Sequence, residues 1–265
     1  MVKIAINTIG KELEITSKFC RENNIGIEVT DFAYPKNLDN NYEQNVQKHL
    51  ECLSGNHLTL FHGPFLDLIA TSVDQEIVKV SKQRHEQALK ACLCIGAKYY
   101  IAHTNFNPLI KYPSRQKHFI NQCLDFWLPI ADLYGKHDIK ICLENLWEDS
   151  PELQYELISK GNHPYLKASF DNGHALVFSK ISSYNWINTL GSSLAHCHLH
   201  DNSGILDEHK SIGEGIENWE RLFSAIKEIS HECVIVAESD DFHKNIISLN
   251  KMYEYLNLTT PDFVR

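Results

Sequence analysis

Several short apolar runs in this chain end in a side chain that can hold a metal ion or move a proton. Leu58-Thr59-Leu60-Phe61-His62 and Tyr99-Tyr100-Ile101-Ala102-His103 end in an imidazole. Lys140-Ile141-Cys142-Leu143-Glu144 and Val234-Ile235-Val236-Ala237-Glu238 end in a carboxylate. Side chains on a strand alternate between faces, so His62 shares a face with Leu58 and Leu60, and Glu238 with Val234 and Val236. The same parity groups His103 with Tyr99 and Ile101, and Glu144 with Lys140 and Cys142. Three denser clusters join them. Ser169-Phe170-Asp171-Asn172-Gly173-His174 sets a carboxylate before a glycine and an imidazole after it. His196-Cys197-His198-Leu199-His200-Asp201-Asn202 puts three histidines on one face, where one or two would serve an ion. Beyond it lie Asp207-Glu208-His209 and Gly213-Glu214-Gly215.

Mixed carboxylate and imidazole ligands suit zinc, manganese, iron or cobalt, whereas calcium takes oxygen ligands alone. Each residue also has a plainer reading. His62 or His103 alone fits a hydrogen-bonded core histidine, Asp171 fits a cap for the following helix, and Asp207–Gly215 fits an ordinary turn. Glu144 and Glu238 are harder to place that way, because a glutamate ending an apolar strand is costly to bury unpaired. Six apolar runs ending in such residues predict a divalent metal site.

The elements that must position them follow from hydrophobic pattern. Strand-like runs recur at Lys3–Asn7, Gly26–Thr30, Leu58–His62, Tyr99–His103, Lys140–Glu144, Lys167–Asp171, Ala195–Leu199 and Val234–Glu238. Helical spacing separates them. Between Asp74 and Ile95 the residues Ile77, Val80, Arg84, Ala88 and Ala91 follow it, and Gly96 closes the segment. Ser114–Gly135 carries Phe119, Cys123, Phe126 and Ile130, with Pro129 as a kink; Ser150-Pro151 reads as an N-cap and first helical residue, with Gly161 as the stop. Strands alternating with helices predict a parallel sheet, and eight such units predict a single-domain (β/α)8 TIM barrel over 1–265, with chemistry at the C-terminal strand ends. No Gly-x-Gly-x-x-Gly follows the first run, which argues against a dinucleotide-binding fold.

Composition narrows the function classes. A formal net charge of −9 over 265 residues disfavours broad capture of nucleic acid. No stretch approaches the roughly 20 apolar residues of a membrane span, and the start lacks the pattern of a secretory leader. Eight scattered cysteines without a Cys-x-x-Cys pair read as buried thiols, so a cytoplasmic location is expected. A homo-oligomer is compatible with all of this.

Three stretches carry a resemblance to the xylose isomerase-like barrel superfamily that covers nearly the whole chain. They are Phe61-His62-Gly63-Pro64-Phe65, Phe170-Asp171-Asn172-Gly173-His174-Ala175, and His196–Asn202 with Asp207-Glu208-His209 and Gly213-Glu214-Gly215. Within the superfamily the chain is most similar to the sugar phosphate isomerase/epimerase group. The resemblance implies one divalent ion, zinc or manganese, held by Glu144, Asp171, His198 and Glu238. The two glutamates would move a proton beside a substrate carbonyl. It also implies a carbohydrate-like substrate, for which His200, Trp147 and Lys210 are candidate contacts.

Endonuclease IV shares the superfamily, and its three-zinc pattern maps onto His62, His103, Glu144, Asp171, His174, His198, Asp207, His209 and Glu238. The expectation is therefore one to three ions. A multinuclear site fits phosphodiester hydrolysis. Against that reading, the loop after the second run, Thr30–Asn40, has one base and two acids, and Phe65 stands where the endonuclease has a tyrosine. Only isolated Lys111, Arg115 and Lys210 lie near the strand-end loops, where a phosphate-tracking groove needs several cations. A small-substrate isomerase or epimerase is expected, abasic-site cleavage is the alternative, and a non-catalytic metal- or carbohydrate-binding barrel is a third class.

Overall fold

Eight parallel strands close into a barrel, in sequence order, in the computed structural model, which describes residues 2–109, 112 and 114–259. They are β1 (Val2–Thr8), β2 (Gly26–Val29), β3 (Thr59–His62), β4 (Tyr99–His103), β5 (Lys140–Glu144), β6 (Leu166–Asp171), β7 (Leu194–Leu199) and β8 (Cys233–Ala237). All eight expected strands are present, with ends displaced by a residue at most. Helices wrap the outside, as parallel strands require of their crossovers. Lys111 lies outside the described residues.

Apolar residues sort into two cores, one on each face of the sheet. Ala5, Leu60, Tyr99, Ile101, Cys142 and Val236 are among those that fill the barrel interior. Ile6, Phe61, Tyr100, Leu143, Phe170 and Cys197 are among those that face the helices. Full burial of such a large apolar side chain contributes roughly 1.5–3 kcal/mol. The N-terminal mouth of the barrel is closed by polar contacts instead. There Glu232 accepts from Lys3 Nζ and Lys140 Nζ at 2.9 Å each and from Tyr99 Oη at 2.6 Å.

Register then stacks the polar strand ends into rings. His103 pairs with Glu144, Glu144 with Ser169, and Ser169 with His196. One residue pair higher, Asp171 sits beside His198. The β6–β7 pairing slips between Ala168 and Ser169: Ala168 opposes Leu194, and Ser169 opposes His196. Leu194 packs among the helices, while Ala195 packs inside the barrel.

Helix signals in the sequence fare unevenly. The helix Gln75–Cys94 starts where the Asp74 side chain accepts from the Glu76 N–H at 2.9 Å, and Gly96 follows it at φ 74°. Arg115–Gly135 contains Pro129 within it. The third signal needs correcting by one position at each end. The helix is Glu152–Gly161, so Pro151 is itself the cap residue, with no side-chain bond. The stop is Asn162 in a left-handed conformation at φ 43°, with Gly161 still helical. None of the helices among the described residues is long and apolar enough to cross a membrane.

Candidate metal centre

Six strands deliver the polar side chains to the C-terminal mouth. His62, His103 and Glu144 end β3, β4 and β5; Asp171 ends β6; His198 lies on β7; Glu238 directly follows β8. The barrel interior is too narrow for these groups to avoid one another. His198 Nδ1 lies 3.2 Å from Glu144 Oε2, 3.4 Å from Glu238 Oε2 and 3.7 Å from Asp171 Oδ2. Two ligand atoms about 2.1 Å from one ion at the tetrahedral angle are about 3.4 Å apart. The spacing fits a coordination shell, and the distances to Glu238 and Asp171 are longer than a good hydrogen bond. Consistent with this, the buried His198 Nδ1 and Glu144 Oε2 have no hydrogen-bond partner among the described residues.

Two further groups flank this one. His62 Nε2 and His103 Nε2 lie 3.8 and 3.7 Å from the Glu144 oxygens. On the other side, Asp207 Oδ2 lies 3.4 Å from His174 Nε2 and 3.0 Å from His209 Nε2. His62 and His174 are also held in one tautomer. His62 Nδ1–H donates to Gly63 O at 2.8 Å and His174 Nδ1–H to Asn145 O at 2.9 Å, because a carbonyl can only accept. That leaves each Nε2 as the nitrogen that would meet a cation shared with the carboxylate it faces, as in imidazoles that ligate metal. Several three-residue sets within these groups have ligand atoms that all lie within 4.8 Å of one another, so the buried clusters fit divalent metal binding.

Electrostatics point the same way. Burial penalises a charged His198, yet Glu238, Glu28 and Glu144 outweigh it and hold the imidazole well above its usual range. Burial likewise works against an ionised Glu144, but His198 and His103 bring its carboxyl down to about 2. Asp171 is held well below its usual range against the same penalty by His174, His200 and His198. The imidazoles hold these carboxylates ionised, and a divalent cation would supply positive charge at the same point. His103 behaves differently: burial pushes it down to about 3, leaving a neutral ring.

The centre opens into a cavity of about 730 Å3, whose wall includes His62, His103, Glu144, His174, Asp207, His209 and Glu238. Phe65, Leu66, Leu68, Ile69, Leu146 and Trp147 form its apolar side, and Arg115 is the one Lys or Arg on that wall among the described residues. Trp147, half-exposed, lines the cavity. His200 and Lys210 sit elsewhere. His200 is fully buried with Nε2 3.3 Å from Asp171, and Lys210 Nζ pairs with Glu208 at 2.9 Å; neither lines the cavity.

Two buried acids escaped the sequence reading. Glu28, on β2, accepts from His198 Nε2 at 2.8 Å and from His196 Nε2 at 3.0 Å. Its signal was present in Gly26-Ile27-Glu28-Val29, an acid inside an apolar run, but it lay mid-strand and not at the end. Glu148 accepts from the Leu146 N–H at 2.7 Å and from the Thr104 hydroxyl, in a loop with no periodic signal.

Comparisons with known proteins agree with this fold. The structure resembles a D-tagatose 3-epimerase-like protein at 22% identity and TM-score 0.79, over 96% of this chain and 97% of the other. A Thermus thermophilus protein soaked with ZnCl2 aligns at 19% identity and TM-score 0.80, over 98% and 100%. A D-psicose 3-epimerase in the presence of D-fructose gives 15% identity and TM-score 0.74, over 96% and 99%. These likenesses establish the fold. In sequence, an uncharacterized protein of Methanocaldococcus jannaschii is 25% identical over 242 residues, 87% of this chain and 78% of its own length. Residues 20–254 match the family described as Xylose isomerase-like TIM barrel, and the chain belongs to that family.

Proposed function

We propose that the protein is a divalent-metal-dependent isomerase or epimerase acting on a sugar, sugar phosphate or related hydroxy-keto compound. The observation that carries this reading is the convergence of two cavity-lining carboxylates, Glu144 from β5 and Glu238 from the end of β8, on the buried His198 Nδ1. Glu144, Asp171, His198 and Glu238 would hold the ion, zinc or manganese. A bound ion would polarise the carbonyl and hydroxyl oxygens of the substrate and lower the free energy of an enediolate.

The two glutamates differ in what they can do. Glu144 is buried and stays ionised down to about pH 2, which makes it a poor proton acceptor and a good anchor. The Glu238 side chain is 12% exposed and lines both this cavity and an adjoining one of about 310 Å3. It is the better placed to take the proton from the carbon beside the carbonyl and return it. Phe65, Leu66 and Trp147 would cover the apolar faces of a sugar and keep bulk water from the enediolate. Arg115 offers one fixed positive charge, enough for a single phosphate or carboxylate.

A second reading, an endonuclease IV-like zinc phosphodiesterase, is favoured by one observation: His62 with His103, and His174 with Asp207 and His209, flank the central group. A single arginine on the cavity wall and a net charge of −9 speak against a phosphate-tracking groove. The test of the metal reading is elemental analysis after exhaustive dialysis. At least one equivalent of divalent metal is expected; under a tenth of an equivalent, with no uptake on reconstitution, would end both readings.

A further inference from the structure

We propose that Glu28 is the positioning residue of the metal centre, a single carboxylate that clamps His198 and His196 and fixes which nitrogen of His198 faces the ion. This rests on the reading of His198 as a metal-holding residue.

A hydrogen-bond chain runs beneath the centre through Ser169, His196, Glu28 and His198, all of them fully buried. Ser169 Oγ lies 2.8 Å from His196 Nδ1, His196 Nε2 lies 3.0 Å from Glu28 Oε2, and His198 Nε2 lies 2.8 Å from Glu28 Oε1. An ionised carboxylate only accepts, so both imidazoles must present Nε2–H to it. A neutral His196 then has a bare Nδ1, which accepts the Ser169 hydroxyl proton. By the same rule, once its Nδ1 meets a cation, His198 keeps a proton on Nε2 alone. The direction of every bond in the chain is set by one acid.

Glu28 has no other evident task. It does not line the main cavity, so it does not meet substrate there, and among the described residues its two side-chain hydrogen bonds both go to the β7 histidines. An ionised carboxylate buried without lysine or arginine carries a penalty of several kcal/mol unless its bonds compensate. It also spans the barrel, from β2 to β7, which are separated by β1 and β8. The clamp thus fixes the His198 ring against a strand that is not its neighbour, a constraint that backbone pairing alone does not impose.

Glu28, His196 and His198 are close enough to be read as an ion site of their own. That use competes with the first. An ion at Nε2 of His198 would leave its proton on Nδ1, where it would block the approach to Glu144, Asp171 and Glu238.

Two measurements test the clamp. The first is Zn2+ affinity of metal-free wild type and Glu28→Ala by competition with a chromophoric chelator, with circular dichroism to confirm folding. Binding 10- to 100-fold weaker is expected for the variant; affinity within threefold of wild type in a folded variant overturns the proposal. The second is the imidazole 15N–1H spectrum of Zn2+-loaded wild type, which needs no variant to fold. Protons on Nε2 of both His196 and His198, and none on Nδ1 of either, are expected. A proton on Nδ1 of His198 overturns it. Absence of Zn2+ uptake by wild type would overturn the metal reading and the clamp with it, whereas equal uptake by both proteins overturns the clamp alone.

Discussion

Asp171 caps the helix that begins at Asn172, its Oδ1 accepting the His174 N–H at 2.7 Å, while its Oδ2 lies 3.7 Å from His198 Nδ1. One carboxylate therefore ties the start of a helix to the proposed ion. The two roles are separable, because asparagine caps as well as aspartate but carries no charge. Asp171→Asn is expected to keep the cap, so that its loss of thermal stability in metal-free protein is smaller than that of the alanine variant, while losing at least tenfold in metal affinity. Asp171→Ala should lose both. Calorimetry of metal-free protein and a metal titration read the two effects independently, and an Asn variant with wild-type affinity would remove Asp171 from the ion.

Glu144→Gln and Glu238→Gln keep size and an oxygen atom but remove charge and basicity. For a proton-transfer enzyme each should reduce turnover by roughly 10²- to 10⁴-fold. Glu238→Gln should bind metal more nearly as wild type does, since Glu144 is the more deeply buried partner. The assay is solvent deuterium incorporation into a panel of ketoses, ketose phosphates and related keto acids. Wild-type exchange that neither substitution impairs would show that the base lies elsewhere.

Duplex DNA containing an abasic site distinguishes the rival chemistry. With Arg115 the lone Lys or Arg on the described cavity wall, binding should be weak at physiological salt and incision slow or absent. A shallow dependence of affinity on salt is expected as well, since few counterions would be released. Rapid metal-dependent incision would reverse the order of the two readings.

Glu148 supplies a prediction about pH. Burial raises its carboxyl to about 7, against the hydrogen bonds from Thr104 and Leu146, whereas an unfolded glutamate titrates near 4.3. Between those values the folded chain keeps a proton that the unfolded chain has released. Stability is thus favoured at low pH and declines as pH rises from about 4.5 through 7. Glu148→Gln removes the effect and can keep both bonds through its amide. The variant should match wild type near pH 4 and exceed it at pH 8, by an amount on the order of 4 kcal/mol at most. Parallel pH profiles of unfolding would refute the account.

Strand ends were legible because alternation and burial act locally: the parity that put His62, His103, Glu144 and Glu238 on inward faces needs only four or five residues of pattern. The groups those residues form depend on register between strands, which no local pattern encodes. Glu28 is the sharpest case, since its partners lie 168 and 170 residues away. Lys210 shows the converse: its type suited a substrate contact, but the turn that bridges Asp201 and Lys210 sends it to Glu208. The helix after β5 was placed within a residue, and its cap misread, because proline serves at the cap or just inside it with little difference in sequence.

The slip before His196 gives β7 something like a reading frame. Leu194 points to the helices and Ala195 into the barrel, and His196 follows Ala195 inward instead of reversing. Strict alternation through all of these residues would turn His196, His198 and His200 out among the helices and bring Cys197 and Leu199 inward. Ala195 is the extra residue that the slip absorbs. Deleting it would set His196 directly after Leu194 and leave the imidazoles in phase, on a straighter strand. Keeping it while losing the slip would exchange the row of imidazoles for a thiol and an alkyl chain, with no histidine mutated. The histidine motif has its chemical meaning only in step with the count of residues that precedes it.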